Sequence, residues 1–112
     1  MSYVPDRGDI VWIDFDPQAG REQAKHRPAL VLSPKRYNQK TSLCVLCPMT
    51  GRIKGYPFEV VVSKDPPSAV LADQIKSLDW RVRQAKRISR APKEVVKEVL
   101  AKITALIEDD DS

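Results

Sequence analysis

The sequence predicts a mainly β, single-domain fold, an antiparallel barrel or sandwich of short strands covered by one C-terminal helix. Three observations carry this. Four short apolar runs recur between residues 9 and 62, each closed by Pro, Gly, Asp or Ser, a rhythm that fits hairpin-linked strands and gives no support to crossover helices. Residues 92–107 alone switch to three- and four-residue spacing of apolar side chains. A chain of 112 residues, 42% hydrophobic and 30% charged, is long enough for one modest core and too short for two.

Residues 9–15 alternate, with Ile10, Trp12 and Asp14 on one side and Val11, Ile13 and Phe15 on the other, and form the first strand. Turn chemistry from Asp16 to Gly20 ends it. Residues 28–33 are the second strand, extended from its start by Pro28, nearly all apolar and so buried on both faces. Residues 35–42 read as a polar connector with three cations, Lys35, Arg36 and Lys40. Residues 43–49 are the third strand, 50–56 a glycine-bounded loop, and 57–62 the fourth strand. After a turn around Pro66 and Pro67, residues 70–75 form a short strand, 76–79 a turn, and the cation-rich residues 80–90 a final edge strand. Pro92 takes the first turn of a helix whose apolar side is Val95, Val96, Val99, Leu100, Ile103, Leu106 and Ile107. The acids after Ile107 oppose the helix dipole, so the helix frays there.

The formal charge is +4, from 19 basic and 15 acidic side chains. Glu108, Asp109, Asp110 and Asp111 stand together in the tail, leaving a body with 19 basic and 11 acidic side chains. Such an excess on a small domain points to a polyanionic partner, most often nucleic acid. No apolar stretch approaches bilayer length and the N-terminus lacks signal-peptide character, so a cytoplasmic location without membrane contact is expected. Cys44 and Cys47 have a Cys-x-x-Cys spacing but lie inside an apolar strand, on opposite faces, in a chain with one histidine. That argues against a metal or redox site and for small core residues.

Residues 20–33 are the most chemically loaded stretch: Glu22, His26 and Arg27 fall within six residues at the lip of a rigid strand. A proton acceptor beside a permanent cation suits proton transfer on an anionic substrate, though a solvated loop with a local ion pair has the same composition. Lys54 and Tyr56 with Arg52 combine charge with a stacking surface, as single-strand nucleic-acid grooves do. Trp12 and Trp80 suit the core or a subunit interface better than base stacking.

Four motifs, Gly8-Asp9-Ile10-Val11-Trp12-Ile13-Asp14-Phe15-Asp16-Pro17, Gly20-x-Glu22-Gln23-x-x-x-Arg27-Pro28-Ala29-Leu30-Val31-Leu32-Ser33, Lys54-Gly55-Tyr56-Pro57-Phe58-Glu59-Val60 and Ala72-Asp73-Gln74-Ile75-Lys76-Ser77, resemble the MazF/PemK toxin family in order and over nearly the whole chain. The resemblance implies an SH3-like antiparallel β-barrel with a C-terminal α-helix. It also implies a homodimer and a cofactor-free, metal-independent endoribonuclease that cuts single-stranded mRNA and arrests growth. An acidic MazE-like antitoxin is implied as partner, in a complex up to a heterohexamer, with DNA reached only through that antitoxin. Within it Glu22 serves as base, Arg27 as phosphate clamp and Thr50 as a further phosphate contact, its hydroxyl and neighbouring N–H groups holding a non-bridging oxygen. Arg52, Lys54, Tyr56, Gln74, Lys76 and Arg83 are expected along the RNA. His26 rivals Glu22 for proton transfer, and Asp73 is an alternative catalytic or substrate contact. Some family branches pair that Asp with a histidine directly before the Glu, where this chain has Arg21. Two other classes remain: a non-catalytic CcdB-like topoisomerase-binding toxin, whose Trp-Gly-Ile C-terminus is missing here, and a simple RNA-binding module.

Overall fold

The computed structural model describes residues 3–15 and 26–109. Seven strands form one curled antiparallel sheet: β1 (Asp9–Asp14), β2 (His26–Val31), β3 (Leu43–Thr50), β4 (Glu59–Lys64), β5 (Pro67–Leu71), β6 (Lys76–Asp79) and β7 (Lys86–Arg90). The ladder runs β4-β5-β3-β2-β1-β7, and β6 pairs with β3 beyond the reach of β5. The eight-residue β3 meets β2 along Leu46–Pro48, β6 along Leu43–Leu46 and β5 at Met49 and Thr50. One strand thus serves two parts of the sheet, which must curl to follow it.

Side-chain alternation sorts the buried residues into two apolar clusters. Ile10, Leu30, Leu32, Cys47, Met49, Val60 and Val70 fall on one face, covered by helix α2 (Lys93–Ile107) through Val95, Val99 and Ile103. Val11, Ile13, Ala29, Val31, Cys44, Leu46 and Trp80 fall on the other. As expected, β2 is buried on both faces from Ala29 onward, and Cys44 and Cys47 separate into different clusters.

Several element boundaries differ from the expectation. Residues 35–41 are a helix, α1 (Lys35–Thr41), not a connector. Its one buried residue is the polar Asn38, so no apolar periodicity marks it. Asn38 Nδ2 donates to the Pro5 and Ser33 carbonyls (2.8 and 3.0 Å), Oδ1 accepts from Ser33 Oγ (2.6 Å), and its backbone carbonyl accepts from Trp80 Nε1 (2.9 Å). The helix is held by hydrogen bonds where most are held by apolar contact.

Residues 76–79 are strand β6, and the turn comes afterwards. The Asp79 carboxylate accepts the N–H groups of Arg81 and Val82 (3.0 Å each) and the Ser42 hydroxyl (3.1 Å). These bonds, that of Val82 foremost, hold its pKa below the ordinary carboxylate value. The expected edge strand shortens accordingly to β7, every residue of which is exposed. Strand β4 starts two residues later than expected, and β5 three earlier, ending in a 3-10 turn at Ala72–Gln74.

Helix α2 ends at Ile107 as expected, but Pro92 is its N-cap, outside the first turn. Leu100, Leu106 and Ile107 stay exposed, outside the buried stripe of Val95, Val99 and Ile103. At the N-terminal end, buried Asp9 accepts from Tyr3 Oη (2.5 Å) and Arg90 Nη1 (2.6 Å), with Arg87 at 3.6 Å, fastening the leading segment and β7 to β1.

Asn38→Ala removes three buried hydrogen bonds and leaves the Pro5 and Ser33 carbonyls without their donor. We expect a loss of about 3 kcal/mol in urea unfolding with an unchanged m-value.

Candidate functional site

The site face is set by strand parity. On β2, Arg27 shares the side of Ala29 and Val31, while His26 shares that of Leu30 and Leu32. Arg27 pairs with Ile13 on β1, and continuing the β2–β3 register beyond Ala29–Pro48 sets it opposite Thr50. Thr50, the last residue of β3, has the parity of Leu46 and lies on that same face. Lys76, paired with Leu46, does too. The Arg27 guanidinium and the Lys76 ammonium both sit over the Phe15 ring, 6.0 and 5.5 Å from its centroid. Two cations drawn to one ring make a local positive site whose field favours an anion.

Next to Thr50 opens a cleft of about 390 Å³ lined by Thr50, Arg52, Lys54, Tyr56, Pro57, Phe58, Glu59, Leu71, Asp73 and Gln74. Six residues singled out in the sequence therefore converge: Thr50, Arg52, Lys54, Tyr56, Asp73 and Gln74. The chain brings them together by passing from β5 to β6 through the 3-10 turn, which sets Asp73 and Gln74 across from the loop after β3. Thr50 Oγ accepts the Arg52 N–H at 3.1 Å. That bond fixes the hydroxyl and turns its proton away from the loop backbone. It also occupies the Arg52 N–H, one of the neighbouring backbone groups expected to bind phosphate alongside the hydroxyl. Lys54 Nζ lies 5.8 Å from the centroid of the Tyr56 ring, which is among the more exposed large side chains of the molecule at 59%.

His26 stands apart. Its ring stacks on Trp12 (centroids 6.0 Å apart, planes 19° off parallel), on the opposite face of the sheet from Arg27. Sequence proximity suggested a cluster that strand alternation divides. Trp80 is buried, as expected, while Trp12 is 43% exposed. Arg83 lies outside the cleft lining, its Nη1 donating to the Asp14 carbonyl at 3.0 Å. Glu22 lies outside the described residues. Glu59, not singled out in the sequence, lines the cleft and accepts the N–H groups of Lys54 (3.0 Å) and Gly55 (2.8 Å). Its place in a strand-like run hid it, since nothing local shows that its side chain turns back.

Among the described residues no group of His, Cys, Asp and Glu is placed to hold a metal ion. Burial pushes the Cys44 and Cys47 thiols up to about 12, with Asp79 and Asp73 respectively adding to the shift. No helix of the described residues is long and apolar enough to cross a membrane.

Across residues 6–107 the chain matches the family described as the PemK-like, MazF-like toxin of type II toxin-antitoxin systems. The chain belongs to this family. It is 52% identical over 106 residues to the endoribonuclease toxin MazF of Escherichia coli (strain K12), covering 94% of this chain and 96% of that protein. The crystal structure of MazF from Deinococcus radiodurans superposes with a TM-score of 0.85 at 51% identity, covering 95% of this chain and 98% of the other. A chain of a MazE–MazF crystal structure from the same organism gives 0.89 at 50% identity, covering 97% and 100%. The likeness spans both the curled sheet and the helix, so the SH3-like MazF fold expected from the motifs is the fold present.

A thiol pushed this far up and buried has almost no thiolate at pH 8. Both cysteines should resist a disulfide reagent such as DTNB in the native protein, and two thiols should react once urea unfolds the chain.

Proposed function

We propose that this chain is the toxin of a MazE–MazF type pair and cuts single-stranded RNA by attack of the ribose 2′-OH on the adjacent phosphorus. It is an endoribonuclease of the MazF family, and the observation that supports the chemistry best is the convergence of Thr50, Lys54, Tyr56, Asp73 and Gln74 in one cleft next to the Arg27 strand. The attacking oxygen is already on the substrate. The protein has to remove its proton, compensate the charge that grows on the phosphorane and hold the chain in line, none of which requires a metal.

Glu22 takes the 2′-OH proton as general base, the O2′–P bond forms as the P–O5′ bond breaks, and the leaving oxygen takes a proton from water, giving a 2′,3′-cyclic phosphate and a 5′-OH end. Arg27 meets the phosphorane with two parallel guanidinium donors. Lys76, over the same Phe15 ring, adds to the positive potential. The Thr50 proton, directed by the bond its oxygen accepts from Arg52, holds a non-bridging oxygen. Tyr56 stacks a base while Lys54 and Arg52 neutralise flanking phosphates, and Asp73 and Gln74 present an acceptor and an amide to base edges. Arg83 tracks the RNA only at the periphery. His26, on the far face, takes no part in proton transfer.

Partners follow from the same relatives. A MazE-like antitoxin with an acidic segment would meet the basic body, and the exposed Trp12, with Val82 and Ile88, is available to a second copy of the chain. A cytoplasmic site of action fits an mRNA substrate.

The deciding experiment is incubation of the protein with unstructured RNA in EDTA. Cleavage leaving 2′,3′-cyclic phosphate ends is expected, and binding without cleavage would leave only an RNA-binding module. Arg27→Ala should lower the cleavage rate by roughly a hundredfold or more while leaving the melting temperature unchanged, because the side chain is exposed. His26→Ala should cut within about threefold of the wild-type rate, since its ring lies away from the reacting groups. A loss matching that of Arg27→Ala would return His26 to the catalytic set.

A further inference from the structure

A carboxylate is out of place in a cleft built for a polyanion, and Glu59 lines it. Its geometry gives the reason. Glu59 opens β4, and its side chain folds back over the preceding loop. Oε1 accepts both the Lys54 N–H (3.0 Å) and the Gly55 N–H (2.8 Å), and Oε2 is also within 3.2 Å of the Lys54 nitrogen. The Glu59 N–H in turn donates to the Tyr56 carbonyl at 3.1 Å. The acid is thereby consumed by converging backbone donors, and its charge is turned from a repulsion toward phosphate into a tether for the loop.

The loop needs one. Residues 51–57 are all exposed, and Gly55 has φ +81°, where a Cβ would meet nothing within 4 Å but the backbone angle itself disfavours a side chain. Lys54 and Tyr56, the cation and ring that face each other, flank that glycine. At the other end Lys102 of α2 donates to the Pro57 carbonyl at 2.7 Å.

We propose that Glu59 is the positioning residue of the RNA-binding loop, holding Lys54 and Tyr56 in the arrangement that receives a phosphate and the unpaired base beside it. The proposal rests on the endoribonuclease function above. Glu59 touches no reacting atom, so its removal weakens substrate capture and leaves the chemical step alone.

The test compares wild type, Glu59→Ala, Glu59→Gln and Gly55→Ala. The measurements are steady-state cleavage of a short single-stranded RNA in EDTA, fluorescence anisotropy with a non-cleavable 2′-deoxy analogue, and amide hydrogen exchange at residues 54 and 55. Glu59→Ala should raise KM by about tenfold, change kcat by less than about threefold and speed exchange at both amides. Glu59→Gln retains a carbonyl oxygen for both donors and should restore KM. Gly55→Ala disturbs the same backbone from the other side and should shift KM in the same direction, which keeps the question decidable if Glu59→Ala does not fold. An unchanged KM with wild-type exchange in Glu59→Ala overturns the proposal. So does a fall in kcat shared by the Ala and Gln variants, which would put the carboxylate itself on the reacting groups. If the wild type cuts no RNA, the endoribonuclease reading falls separately. The tether is then judged by analogue affinity and amide exchange, and the absence of an effect of Glu59→Ala on either overturns it.

Discussion

Strict alternation of side chains along β2 and β3 is the constraint on which the rest of the molecule depends. Because β3 pairs with β2 on one edge and with both β5 and β6 on the other, any slip of one residue would exchange the two apolar clusters and turn every site residue to the wrong face. The register is held by burial: Ala29, Leu30, Val31, Cys44, Leu46 and Cys47 are fully buried, three on each of the two strands and on both faces. On the face they share, Arg27 and Thr50 are the first residues past buried Ala29 and Pro48, at the same end of the sheet. Their positions are therefore as rigid as the core behind them, while their side chains are free to meet a ligand.

The charges follow the same plan. Four described cations near the site are placed by aromatic rings and a backbone carbonyl: Arg27 and Lys76 by Phe15, Lys54 by Tyr56 and Arg83 by the Asp14 carbonyl. A ring holds a cation in place without neutralising it, and so preserves the field that attracts an anionic chain. The buried carboxylate, Asp9, is instead fully engaged at the opposite end of β1, where it locks β7 and the leading segment and has no part in the cleft.

Much of this was legible in the sequence, and the exceptions have identifiable causes. The period-two runs located β1, β2 and β3 within a residue or two, set Val11 and Ile13 opposite Ile10, and set Cys44 opposite Cys47, because burial on both faces leaves a strong pattern. Helix α1 was invisible: a seven-residue helix anchored by a polar side chain has no apolar stripe. The turn at Asp79 was misplaced by one element, because a carboxylate that captures N–H groups two and three residues ahead looks, in one dimension, like the turn itself. In the site, residue types carried Thr50, Lys54, Tyr56, Asp73 and Gln74 into one cleft, whereas His26 was grouped with Arg27 by proximity that a strand's alternation undoes. Glu59 was missed because its role depends on a backward fold of its side chain that no spacing encodes.

Strand β7 is an open sheet edge, and such edges invite pairing with other chains. Here the edge holds Lys86, Arg87 and Arg90, the last two drawn toward the single carboxylate of Asp9. A neighbouring strand approaching this edge would have to strip water from three cations, two of which share one anion. Colloidal stability is thus written into the same ion cluster that fastens the N-terminal segment, so a substitution at Asp9 would loosen the fold and also release the arginines that keep this margin from pairing.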